Sequence, residues 1–113
     1  MTPSCPEEIA MYAVIFEVTP DPDRAPEYFE LAAQLRPELE KIDGFISIER
    51  FQSLADQDRY VSLSFWRDEA AIAQWRGHLG HQSAQEAGKK GIFRDFRIRV
   101  AKVERDYSLA DRI

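Results

Sequence analysis

The chain has 113 residues, of which 44 % are hydrophobic and 31 % charged, with a formal net charge of −5. Such a composition fits one globular domain rather than a disordered chain, and the acidic balance argues against nonspecific binding to nucleic acid or an anionic membrane, both of which rest on a basic surface. No apolar stretch approaches the roughly 18 residues of a membrane span.

Residues 1–10 carry no periodicity, contain two prolines and two glutamates, and lack the basic and apolar regions of a signal peptide. They are expected to form a mobile leader. Cys5, the only cysteine, has no internal partner, which fits a reducing compartment, and a cytoplasmic location is the expectation.

Tyr12 to Thr19 is rich in β-branched and aromatic residues and reads as a strand with both faces covered; Pro20-Asp21-Pro22-Asp23 then turns the chain. From Arg24 to Lys41, Phe29, Ala32, Ala33, Leu35, Leu39 and Ile42 recur at helical spacing. Asp23 is the expected N-cap, Pro37 should kink the helix, and Asp43-Gly44 closes it.

Phe45–Ser53 and Arg59–Trp66 alternate as the two strands of a hairpin. In the first, Ile46 and Ile48 oppose Phe45, Ser47, Glu49 and Phe51. In the second, Val61, Leu63 and Phe65 oppose Tyr60, Ser62, Ser64 and Trp66. Asp68 can cap a helix from Glu69 to Arg76 with the stripe Ala71, Ile72 and Trp75, and a further helical stretch runs to about Ala87. A last strand spans Phe93 to about Val103, with Phe96, Ile98 and Val100 opposite Arg97 and Arg99.

The order strand, helix, strand, strand, helix, strand predicts an α+β fold, a ferredoxin-like βαββαβ domain with an antiparallel sheet over residues 11–107 and a tail at 108–113. Helices cover one face of such a sheet. The other is expected to hold Phe45, Phe51, Tyr60 and Trp66, too aromatic for water, so a homodimer follows; a shift of one residue in register would exchange the faces.

Ser64-Phe65-Trp66-Arg67-Asp68-Glu69-Ala70-Ala71-Ile72, continuing through Trp75, His78, His81, Gly88, Phe93, Phe96, Arg97 and Tyr107, resembles the antibiotic biosynthesis monooxygenase domain family of the dimeric α/β barrel superfamily. The resemblance implies a homodimer whose paired sheets form a barrel, with a C-terminal segment reaching the neighbouring subunit. It also implies, for some members, cofactor-independent oxidation of a small aromatic or quinol substrate by O2, with no metal and no cofactor. A noncatalytic ligand-binding or stress-associated dimer is the alternative, because no unambiguous acid–base pair stands out. Haem degradation is a weaker alternative: the residues expected of such relatives fall near Gln85 and Val14, neither of which suits the role.

The candidate catalytic residues are Trp66, Arg97, His78 and His81. Trp66 is expected on the uncovered face as a cavity wall or as a packing aromatic. The two histidines, three apart on a helical or turn segment, could share a face and suit either packing or proton transfer, while a metal would want a third ligand. Arg97 is expected to hold a substrate oxyanion or else to pair with Glu49 or Glu17. Tyr60, Ser62, Ser64, Phe51 and Arg99 are the candidate substrate-binding residues.

Overall fold

The computed structural model describes residues 11–77 and 91–112. The expected leader, and the stretch carrying His78, His81 and Gln85, lie outside them.

Six main elements follow in the predicted order: β1 (Tyr12–Pro20), α1 (Ala25–Glu40), β2 (Phe45–Gln52), β3 (Tyr60–Trp66), α2 (Glu69–Arg76) and β4 (Phe93–Lys102). The strands form one antiparallel sheet in the order β2-β3-β1-β4. The ferredoxin-like α+β arrangement is therefore the fold of this chain. Val103 N–H donates to the Met11 carbonyl at 2.9 Å, closing β4 against the start of β1. No helix among the described residues is long and apolar enough to cross a membrane.

The helix starts follow from capping chemistry. Asp68 accepts from Ala71 N–H at 2.8 Å and begins α2 as expected. Before α1, however, the cap is Asp21 rather than Asp23: its carboxylate accepts from Asp23 N–H at 2.9 Å and starts a 3-10 turn over Pro22–Arg24 that leads into the helix. Two prolines in Asp21-Pro22-Asp23-Arg24-Ala25-Pro26 fix the backbone early, which moves the start upstream. Pro37 lies inside α1 on its exposed side, so the Ala33 carbonyl loses its helical donor where water can replace it.

Two apolar clusters hold the helices to the sheet. Leu39 of α1, Trp66 of β3 and Ala71 and Ile72 of α2 form one, with Tyr12, Val14, Phe45 and Ile48 packed against it. Val18, Tyr28 and Ile92 form the other, joined by Phe16, Tyr60 and Phe93. Tyr28, rather than its neighbour Phe29, is the buried aromatic of the first helical turns.

These clusters overturn the expected facing of β3. Trp66 and Tyr60 pack on the helix side, and Trp66 is only 2 % exposed. Ser62 and Ser64, which alternate with them in phase, are buried on that same side. Val61, Leu63 and Phe65 therefore point to the open face. Phe45 also leaves the expected side, because a register shift between Phe45 and Ser47 sets it opposite Trp66, with ring centroids 5.3 Å apart at 74°. Phe51, Arg97 and Arg99 remain on the open face as expected, since directly paired residues share a face.

Candidate functional site

The sheet divides the candidate residues into two groups that no single small ligand can touch together. Trp66, Ser64, Ser62 and Tyr60 line the helix side of β3, whereas Phe51, Arg97 and Arg99 lie on the open side. His78 and His81 fall outside the described residues.

On the helix side, Trp66 Nε1–H donates to Ser64 Oγ at 2.9 Å, a buried bond that removes the polar end of the indole from further use. Trp66 is thus a packed wall. Tyr60 meets Phe29 edge to face at 5.0 Å, and its hydroxyl lies 3.4 Å from Gln52 Nε2. Burial pushes the Tyr28 phenol up, with the Arg50 guanidinium, 5.8 Å from the ring, pulling the other way.

Ser62 differs from Ser64. It is 8 % exposed, and its hydroxyl makes no hydrogen bond to another described residue. Its row across the sheet runs Arg50, Ser62, Phe16 and Ile98, and the next row runs Ile48, Ser64, Val14 and Val100. Among the described residues, Phe96, Ile98 and Val100 on β4 stay about half exposed. Among the described residues, Ser62 is thus a buried hydroxyl without a partner, beside an apolar strip that α1 and α2 do not cover, and such a group calls for a partner outside them. Val14, where a haem relative would need a different side chain, is packed against the Leu39–Trp66 cluster.

On the open side, consecutive rows read Phe51–Val61–Glu17–Arg97, Glu49–Leu63–Ile15–Arg99 and Ser47–Phe65–Ala13–Ala101. The middle of this face is apolar and its β4 edge is basic. Arg99 Nη1 donates to Glu17 Oε2 at 2.9 Å. Arg97 pairs with neither Glu17 nor Glu49. Glu49 stands three strands away, roughly 14 Å at normal strand spacing, which is beyond reach. Phe51 is equally remote from Arg97. At the β3–β4 end of this face lies a recess of about 330 Å³ whose lining includes Arg59, Arg97, Arg99, Glu17, Asp95 and Thr19.

Alternation along the last strand sets Asp95 on the face of Arg97 and Arg99, but sequence reasoning did not single it out as a site residue. Arg59 and Thr19, just before β3 and near the end of β1, were missed because alternation stops being informative there. Among the described residues, no three His, Cys, Asp or Glu side chains gather as a metal site would require.

Comparison with known proteins agrees with this architecture. The family described as antibiotic biosynthesis monooxygenase matches residues 11–87. Jasmonate monooxygenase ABM of Pyricularia oryzae is 46 % identical over 93 residues, spanning 82 % of this chain but 43 % of that protein. Protein YqjZ of Bacillus subtilis is 35 % identical over 96 residues, with 83 % and 80 % covered. The chain thus spans less than half of the first of these relatives and most of the second. Among solved structures, Rv0793 of Mycobacterium tuberculosis superposes with a TM-score of 0.78 at 19 % identity, covering 87 % of this chain and 99 % of that one. A conserved protein of Methanosarcina mazei Go1 reaches 0.74 at 18 %, covering 83 % and 93 %. With the fold, the strand-into-helix motif and a family match over most of its length in agreement, this chain belongs to the antibiotic biosynthesis monooxygenase family.

Proposed function

We propose that this protein is a homodimeric, O2-dependent monooxygenase that uses no metal or organic cofactor and acts on a small, largely apolar substrate with an acidic C–H or phenolic O–H. Family membership and the 46 % identity to Jasmonate monooxygenase ABM support the reaction class. Jasmonate joins quinols and anthrones as a substrate to be tried.

The observation that carries the reading is the buried Ser62 hydroxyl on the helix side, without a partner among the described residues and next to the Phe16, Ile98 and Val100 strip. An apolar strip of this kind suits both O2 and an aromatic or alicyclic ring. A single donor there would hold the substrate oxygen on which negative charge develops when the proton leaves. The chemistry balances without a reductant. A methylene beside a carbonyl loses a proton, and the carbanion passes an electron to O2. The radical pair joins as a peroxide, and loss of water leaves a second carbonyl. A quinol would instead give quinone and hydrogen peroxide.

The dimer reading draws on the open face. A sheet facing water normally alternates to polar residues there, yet Val61, Leu63, Phe65, Ala13 and Ile15 occupy its middle. A second copy packed on that face would bury them at the spacing of stacked sheets.

Oxygen uptake by the pure protein with jasmonate, quinols and anthrones tests the activity. Ser62→Ala is expected to lower kcat by about a hundredfold, the usual effect of losing one oxyanion donor. No uptake above buffer with any of these substrates would refute the oxygenase and favour a noncatalytic ligand-binding role. An unchanged rate in Ser62→Ala would remove the site.

A further inference from the structure

The recess on the open face has no part in the oxygenation just described, since it lies across the sheet from Ser62 and Trp66. We infer that it is a separate binding site for a small organic monocarboxylate, held by the guanidinium groups of Arg59 and Arg97.

Charge comes first. Three arginines and two carboxylates line the recess, in a chain whose overall charge is −5. Glu17 is taken by Arg99 at 2.9 Å. Neither Arg59 nor Arg97 has an ion-pair or hydrogen-bond partner for its guanidinium among the described residues. Asp95 lines the same space without pairing to either. The lining thus carries one excess positive charge, which matches a carboxylate and penalises a phosphate dianion next to Asp95.

Position comes second. Thr19 pairs with Asp95 across β1 and β4, and Arg97 follows two residues after Asp95 on the same face. Arg59 reaches the recess from the start of β3. The hairpin fixes its backbone there: Arg59 N–H donates to the Asp56 carbonyl and its own carbonyl accepts from Ser53 N–H, both at 3.0 Å. Two arginines, one just before β3 and one on β4, line one cleft on either side of β1, and a carboxylate is the small anion that guanidinium forks grip through paired bonds.

Size and polarity come third. About 330 Å³ is at the lower end of ligand pockets, and apart from Val18 and Phe96 the walls are polar or charged. A short-chain acid fits these walls better than a quinol ring does. The cleft lies at the end of the face away from the Phe65–Ala13 row.

The test is titration of the full-length protein with hexanoate, jasmonate and inorganic phosphate at low ionic strength, followed by amide NMR. Saturable shifts centred on Thr19, Asp95 and Arg97 are expected for the carboxylates, with phosphate weaker. Arg59→Gln and Arg97→Gln should each weaken carboxylate binding by about tenfold, the usual loss of a charge-assisted pair, with Arg97→Lys retaining part of it. The unshifted bulk of each spectrum reports that the variant is folded. Three results overturn the site: no saturable shift with either carboxylate, phosphate binding more tightly than both, or variants that alter the oligomeric state but not carboxylate affinity. The last would assign the arginines to contact with the second copy. Oxygen uptake plays no part in these readouts, so this inference and the oxygenase reading stand or fall separately.

Discussion

Trp66 and Ser64, two residues apart on the covered side of β3, satisfy each other: the indole N–H donates to the serine hydroxyl at 2.9 Å where water does not reach. A β-strand brings i and i+2 to one face, so a large aromatic and its acceptor can be supplied by one short segment. The serine looks like a surface residue by composition and is structural by position.

Ser64→Ala should therefore destabilise the protein by about 1–3 kcal/mol, because it strands a buried donor rather than merely deleting a contact. Urea denaturation followed by tryptophan fluorescence measures it. Ser64→Thr, which keeps the hydroxyl, should recover much of the loss. A Ser64→Ala protein as stable as the parent would mean that the indole bond is energetically idle.

Gly44 connects α1 to β2 with φ +99°, and a Cβ there would stand 2.7 Å from the Ala71 Cβ. Arg67 N–H also donates to its carbonyl at 2.7 Å, so the turn cannot easily move away. Gly44→Ala combines a disfavoured left-handed backbone with a collision against α2, and a loss of at least about 1–3 kcal/mol is expected from the backbone alone. Gly91→Ala, where φ is +95° but the nearest atom is the Arg24 Nη1 at 3.5 Å, should cost less. Thermal melts of the two variants give the order directly.

Asp68 links α2 to acid stability. Its carboxyl is held below the ordinary value chiefly by the Ala71 N–H and secondly by the Arg67 guanidinium, whose Nε is 3.1 Å from Oδ2. A carboxyl lowered in the folded state binds protons more readily when unfolded. Its contribution is therefore present above the unfolded value near 4 and lost as pH falls from there through the lowered native value. Asp68→Asn keeps a capping oxygen without the charge, so its urea midpoint should fall less steeply across that interval. Parallel curves for parent and variant would deny Asp68 any role in the acid limb.

Leu63 sits centrally on the open face, between Glu49 and Ile15 in its row. If that face meets a second copy, Leu63→Lys should halve the mass seen by light scattering while leaving the far-ultraviolet dichroism intact. Retention of the parent mass would move the subunit contact elsewhere, and a parent protein that is itself monomeric would remove it.

Much of the fold was legible because local rules and the tertiary structure agree. The Asp68 cap, the Ala71–Ile72–Trp75 stripe, the hairpin and the alternation of Arg97 and Arg99 against Ile98 and Val100 all hold. The covered face of β3 was not legible. Its buried side carries Ser62 and Ser64, while its open side carries Val61, Leu63 and Phe65, so hydrophobicity favours the wrong assignment. Only the packing of Trp66 against Leu39 and Ala71 decides it. The candidate site suffered from the same ambiguity, since exchanging the faces of β3 separates Trp66 and the serines from Arg97. That Arg97 has no partner among the described residues likewise depends on which strand lies next to which, and that is a property of the sheet order rather than of the spacing.

The bond from Val103 N–H to the Met11 carbonyl sets the entry and exit of the folded unit beside each other on neighbouring strands. A unit whose ends adjoin can be spliced into a longer chain, or joined tail to head with its own duplicate, without unravelling a strand. Two halves tethered in that way would find each other at the concentration set by their linker rather than by the cell. The same arrangement would let the proposed dimer form from two separate copies or from two halves of one polypeptide.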